Sequence, residues 1–257
     1  MTVAFRYLKT VWLFFWAALL TLLLFLPITI AALFGRSGNL AFNLTKIWAW
    51  VLLKLCRVHM EIHGRENISP GQRYVIISNH QSYFDPPVLV LALGLQYRWV
   101  IKKELRRIPL FGFALHASRN LFIDRSNGAA SLKSIRDGVA RLQKGTGLLF
   151  FAEGTRSPDG QLLPFKKGAF LVARDSGLPI LPVTVNFSGD RLPKKSGVFT
   201  AGKVEVHIHP PYQPDPEAPL EAVKDRTRQC IASRLKPLER YQDSPNRLAN
   251  ARGGDMP

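Results

Sequence analysis

The sequence predicts an α/β fold: a mixed, mostly parallel sheet flanked by helices, with an N-terminal membrane-associated helical segment. Three observations predict it. From residue 58 onward, short apolar runs of strand length alternate with amphipathic stretches, the pattern of strands joined by helices. A long uncharged run, residues 11–34, precedes them. Apolar residues make up 47% of the 257, enough to pack both faces of such a sheet.

The uncharged run reads VWLFFWAALLTLLLFLPITIAALF and covers 24 positions. As a helix it is about 36 Å long, sufficient to cross the hydrocarbon layer with some tilt. Pro27 lies inside it and is expected to kink or break the helix. Signal-peptide cleavage is not expected, because Ala31-Ala32 is followed by bulky Leu33 and Phe34. A second apolar stretch, 40–53, follows a Gly/Ser/Asn turn at 35–39. Its Lys46 and its Trp48/Trp50 pair suit an interface better than a bilayer centre. A single span and a hairpin that dips in and returns both fit. Arg6 and Lys9 precede the run, and Arg36, Lys46, Lys54 and Arg57 follow it. That near-symmetry gives no orientation and favours the hairpin.

The remaining elements follow from apolar periodicity. Strands are expected at 74–78, 99–101, 121–123, 148–152, 180–186 and 204–209, and helices at 86–93, 129–143, 167–176 and 220–239. The chain divides into membrane-associated helices (1–57), a catalytic domain (58–242) and a flexible tail (243–257) rich in Pro, Asn, Arg and Gly.

Lys plus Arg number 35 against 18 Asp plus Glu, a net charge of +17. A surplus of that size calls for an anionic partner: nucleic acid, anionic lipid or an acidic small substrate. Nucleic acid is set aside, because the basic residues form no motif with interleaved stacking aromatics. Cys56 and Cys230 form no CxxC pair, so a reducing compartment is the simpler reading. No metal-ligand spacing occurs among the His residues, and no metal is expected.

The run NHQSYFDP stands at the end of the strand YVIIS. Asp85 is a good helix cap and Pro86 suits the first helical position, so a purely structural role for Asp85 is available. The pair His80 and Asp85 carries more. It lies at the carboxyl edge of a strand, where open α/β sheets bind ligands. An Asp within reach of one ring nitrogen fixes the tautomer, and the other nitrogen can take a proton from a hydroxyl. That is the base and orienter of a triad, with the substrate alcohol as nucleophile.

NHQSYFDP resembles the His-x4-Asp motif of the glycerolipid acyltransferases, in particular the 1-acyl-sn-glycerol-3-phosphate acyltransferases. LFIDR (121–125) is similar to the family's second block, FFAEGTRS (150–157) to its third and LPILPVTV (178–185) to its fourth, all in the family's order. The resemblance implies that Arg125, Glu153, Gly154 and Arg156 form a glycerophosphate site, with Thr155 ordering the loop or touching the glycerol. Arg supplies a planar fork for phosphate. Lys166 and Lys167 are further phosphate candidates, as are Lys102 and Lys103. Two positions depart from the pattern: Ala152 stands where Pro is usual and Arg119 where Gly is common.

The implied reaction moves an acyl chain from a thioester to the free hydroxyl of 1-acyl-sn-glycerol 3-phosphate. Acyl-CoA or acyl-carrier protein serves as co-substrate, and no bound cofactor is expected. The expected partners are a lyso-lipid acceptor, the thioester carrier and a membrane with anionic lipids. The expected location is the inner (plasma) membrane with the catalytic domain facing the cytoplasm. Another lyso-lipid acceptor, such as lyso-ornithine lipid or a lysophospholipid, uses the same chemistry. A non-catalytic lipid-binding protein is the alternative of another class.

Overall fold

The computed structural model describes residues 3–35, 37–124, 126–194 and 198–239. The chain opens with two helices, α1 (Val3–Phe34) and α2 (Asn39–Leu55), packed on each other as a hairpin. Next come β1 (Val58–His63), β2 (Val75–Ser78), α3 (Asp85–Ala92), β3 (Gln96–Lys102), α4 (Phe111–Ala117), β4 (Leu121–Ile123) and α5 (Gly128–Arg141). Then follow β5 (Thr146–Phe151), α6 (Gly168–Ser176), β6 (Ile180–Asn186), the short α7 (Ser188–Arg191), β7 (Gly202–Ile208) and α8 (Leu220–Ala232).

The seven strands form one sheet in the order β1-β7-β6-β2-β5-β3-β4. β6, β2, β5, β3 and β4 run parallel to one another, and β1 runs parallel to β7. Only the β6–β7 junction is antiparallel. The expected mixed, mostly parallel sheet is what forms. Its central strands are buried on both faces, which is why they read as continuous apolar runs such as Val75-Ile76-Ile77. One face packs Ile76, Leu149, Val183 and Val204 against α2 and α3, and the other packs Val75, Leu148 and Phe150 against α5, α6 and α8. Leu13 and Leu20 of α1 join the first of these clusters.

Several expectations are corrected. α1 runs unbroken through Pro27. The proline removes one backbone hydrogen bond, and packing of Ile28 and Ala31 against α4 holds the following turn in place. β1 and α4 were not foreseen. The 220–239 helix stops at Ala232, because Asn186 and Asp190 draw the next segment onto the sheet. Asn186 Oδ1 accepts from Lys236 N at 2.9 Å, and Asp190 Oδ2 from Glu239 N at 2.9 Å. Pro237 prevents a return to helix. The 243–257 tail lies outside the described residues.

Arg98 on β3 is fully buried and ties the helical hairpin to the sheet. Its guanidinium donates to Ser37 O and Tyr97 O, both at 2.8 Å, and to Asn39 Oδ1. It also lies 5.3 Å from the Phe42 ring of α2. Burial pulls its pKa down to about 10, still charged at neutral pH.

Candidate active site

The parallel strands β2, β5, β3 and β4 bring their carboxyl ends to one edge of the sheet. His80, Asp85, Lys102, Lys103, Glu153, Gly154, Thr155, Arg156, Lys166 and Lys167 stand on that edge or in the segments leaving it. β2 ends at Ser78, and Asn79 extends its ladder with a side chain. Asn79 Nδ2 donates to Val185 O, and Val185 N donates to Asn79 Oδ1, both at 2.8 Å. His80 follows at this anchored exit.

His80 Nδ1 lies 2.6 Å from Asp85 Oδ2. The same carboxylate oxygen accepts from Gln81 N at 2.7 Å and Ser82 N at 2.8 Å. An ionised carboxylate only accepts, so Nδ1 is the protonated nitrogen and Nε2 carries the lone pair in the neutral ring. Nε2 makes no hydrogen bond among the described residues. Asp85 does not cap α3 as expected; Phe84 holds the cap position and Asp85 is the first helical residue. Its carboxylate turns back to the N–H groups of Gln81 and Ser82, which have no other acceptor among the described residues. Asp85 is completely buried, and Oδ1 has no donor among the described residues. The His80 ring stacks on Phe151, with centroids 3.8 Å apart and planes 9° apart.

The EGTRS loop leaves β5 and closes around His80. Glu153 Oε1 accepts from His80 N at 2.8 Å, and Ser157 N donates to His80 O at 2.7 Å. The backbone of the histidine is therefore held on both sides. Glu153 Oε2 accepts from Leu163 N at 3.0 Å, so both carboxylate oxygens order the loop. Burial pushes the Glu153 pKa up to about 7, against the pull of the Leu163 and His80 N–H groups; the nearby Asp85 charge adds to the rise. Gly154 sits at φ 72°, the left-handed conformation needed for the tight reversal. Arg156 lies with its guanidinium carbon 3.6 Å from the Tyr83 ring centroid. Its Nη1 is buried without a hydrogen-bond partner among the described residues.

A family model described as Acyltransferase matches residues 59–186, which hold every one of these side chains. A 1-acyl-sn-glycerol-3-phosphate acyltransferase of Pseudomonas aeruginosa is 34% identical over 178 residues, covering 69% of this chain and 68% of that protein. The chain belongs to the 1-acyl-sn-glycerol-3-phosphate acyltransferase family. A chloroplastic member from Brassica napus is 35% identical over 170 residues, which is 65% of this chain and 49% of that protein. The match thus spans about half of the plant relative's length. In fold, the chain is similar to the crystal structure of the 1-acyl-sn-glycerophosphate acyltransferase of Thermotoga maritima. The TM-score is 0.79 and the identity 24%, over 91% of this chain and 95% of that one.

The other predicted site residues fall as follows. Thr155 is exposed beside Gly154. Lys166 is exposed, and its stem runs past Gly154, where an added β-carbon would lie 3.6 Å from Lys166 Cγ. Lys102 ends β3, half-exposed and 3.4 Å from Glu104. Lys103 pairs with Asp124, which also accepts from Ser126 N at 3.0 Å. Arg125 lies outside the described residues. His80, Asp85, Glu153 and Arg156 thus form one connected group, whereas Lys102 stands two strands from β2, about 10 Å away. Sequence reasoning missed Phe151 and Tyr83, the aromatic supports of His80 and Arg156. The available signal was an aromatic residue inside each block, Tyr83 in NHQSYFDP and Phe151 in FFAEGTRS.

Proposed function

We propose that this protein transfers an acyl chain from an acyl thioester to the free hydroxyl of 1-acyl-sn-glycerol 3-phosphate, forming phosphatidic acid. The observation that carries the reading is the 2.6 Å His80–Asp85 contact, with Nε2 unbonded among the described residues and the histidine backbone held on both sides. His80 Nε2 takes the proton of the acceptor hydroxyl. The oxygen attacks the thioester carbonyl carbon, the carbon–sulfur bond breaks, and the leaving thiolate takes the proton from His80. Asp85 stabilises the intervening imidazolium. A thioester is already activated, so no covalent enzyme intermediate is needed. Arg156 holds the acceptor phosphate, supported by its unpartnered Nη1. Lys166 and Lys102 add positive charge to the same edge, and Arg125 is a further phosphate ligand by its place in the second block. The donor is acyl-CoA or acyl-carrier protein; both are anionic and suit a chain of charge +17.

The α1–α2 hairpin seats the enzyme on a membrane, with the catalytic domain on the cytoplasmic face. From Leu8 to Phe34 α1 has a mean hydropathy of 2.5 in its most apolar window, with 17% of that window buried. Its contacts support a helix lying along the domain rather than a single span. Lys9 sits 5.7 Å from the Phe199 ring at one end, and Phe25 packs 5.3 Å from Phe113 at the other. A span would carry those parts of the domain into hydrocarbon.

The test is a purified-protein assay that crosses acyl-CoA and acyl-carrier-protein donors with several lyso-lipid acceptors. Thioester cleavage dependent on lysophosphatidic acid and abolished in His80→Ala is the expected result. Near-normal turnover by His80→Ala would sink the mechanism.

A further inference from the structure

A second concentration of charge lies away from His80, along β4 at the far side of the sheet. There a groove of about 480 Å³ is lined by Arg106, His116, Arg119 and Arg141, with Ser37 of the α1–α2 turn contributing. Arg106 and Arg119 have no carboxylate partner among the described residues. Asp137, the carboxylate on the lining, is engaged by Lys133 at 3.0 Å. Burial lowers the His116 pKa, and the charges of Arg106 and Arg119 lower it further, which shows how closely the cations crowd. Arg119 also occupies φ 59°, the left-handed region that favours glycine. Its stem crosses the hairpin turn so closely that a β-carbon on Gly38 would lie 2.6 Å from Arg119 Cγ.

The surface beside the groove indicates which anion fits. The turn is flanked by Leu33, Phe34 and Leu40, which are 77%, 83% and 53% exposed. Phe113 of α4 is 40% exposed nearby, against Phe25. Apolar side chains that enter the acyl layer, next to arginines at phosphate depth, form a membrane-interface arrangement. We propose that this groove binds the phosphate of an anionic phospholipid in the membrane on which the hairpin sits. It is a docking site separate from the acceptor site, because β4 stands three strands from β2, about 14 Å away, and Arg119 and Arg141 precede β4 and β5 rather than follow them. The inference rests on the membrane seating proposed above.

The test uses the full chain with vesicles of phosphatidylcholine alone or with one third phosphatidylglycerol. The variants are Arg106→Gln with Arg119→Gly, and Arg119→Gly alone, which relaxes the backbone and guards against misfolding. Wild type is expected to sediment with both vesicles and to prefer the anionic ones. Each arginine removed should weaken anionic binding by about fivefold, with phosphatidylcholine binding and turnover on detergent-dispersed acceptor unchanged. An undiminished anionic preference in both variants overturns the groove assignment. Wild type that sediments with neither vesicle overturns the membrane seating and the groove with it. Lost turnover with an acyl-carrier-protein donor alone, at unaltered vesicle preference, assigns the groove to that acidic protein and overturns the lipid.

Discussion

The Arg156 guanidinium carbon lies 3.6 Å from the centre of the Tyr83 ring, so a side chain of the third block rests on one from the first. Tyr83 is 63% exposed and has no packing reason to stand there. Its ring face fixes the plane of the guanidinium fork. Tyr83→Ala should raise the KM for the phosphate acceptor by roughly 3- to 10-fold and leave kcat little changed, because the interaction is equal in ground and transition states. Tyr83→Phe keeps the ring face and should behave as wild type. Steady-state kinetics with the acceptor varied reads both, and an unchanged KM in Tyr83→Ala would remove Tyr83 from acceptor recognition.

Asp85→Asn tests the orienting carboxylate. The amide is isosteric, but it no longer offers an anion to the three donors that converge on Oδ2. It permits the wrong histidine tautomer and withdraws the charge that stabilises imidazolium. The expected loss in kcat is on the order of 10²- to 10⁴-fold, with vesicle sedimentation unchanged. A thermal melt run alongside separates this from unfolding. Activity within a factor of two or three of wild type, in a folded protein, would reduce Asp85 to a loop fastener.

The parts of this picture that sequence conveys are local ones. The runs that became β2, β5 and β6 are mostly apolar, without in–out alternation, because both faces are covered, and that pattern announces itself. β1 escaped notice although VHMEIH alternates apolar and polar residues, because it is a short edge strand directly after a helix. α4 has only seven residues, too few for helical periodicity to emerge. In the site, His80 and Asp85 share one turn and could be paired by spacing. The Ser157 and Glu153 hold on His80 joins segments more than 70 residues apart, and no local pattern encodes it. Pro237 was a legible stop signal that the apolar periodicity of α8 outweighed.

Arg98 supplies a prediction about assembly. Its guanidinium is the donor for Ser37 O and Asn39 Oδ1 at the hairpin turn. Arg98→Met keeps most of the volume and removes every donor, so both oxygens lose their partner. The expected destabilisation is about 2–4 kcal/mol, seen as a lower Tm in detergent. The loss should be centred on the hairpin: limited proteolysis should reach the 35–39 turn of the variant before it reaches the sheet. A variant with unaltered Tm would mean that helix packing alone holds the hairpin.

Glu153 gives the pH dependence. Its folded pKa of about 7 exceeds the ordinary value of 4.5 because the carboxylate is buried. Below pH 4.5 the group is protonated in folded and unfolded chains alike and contributes no slope. Between 4.5 and about 7 the unfolded chain has released the proton and the folded one retains it. Stability therefore falls as pH rises through that window and levels off above it. Glu153→Gln has no proton to release and should abolish this part of the slope, worth on the order of 3 kcal/mol between the ends of the window. The variant also loses one of two acceptors, leaving His80 N or Leu163 N unpaired, a pH-independent cost of about 1–3 kcal/mol. Urea unfolding of both proteins in detergent from pH 4.5 to 8 isolates the effect, since titrating groups that do not interact with Glu153 cancel in the difference. Parallel curves would show that Glu153 is ionised throughout, and that the two backbone N–H groups outweigh its burial.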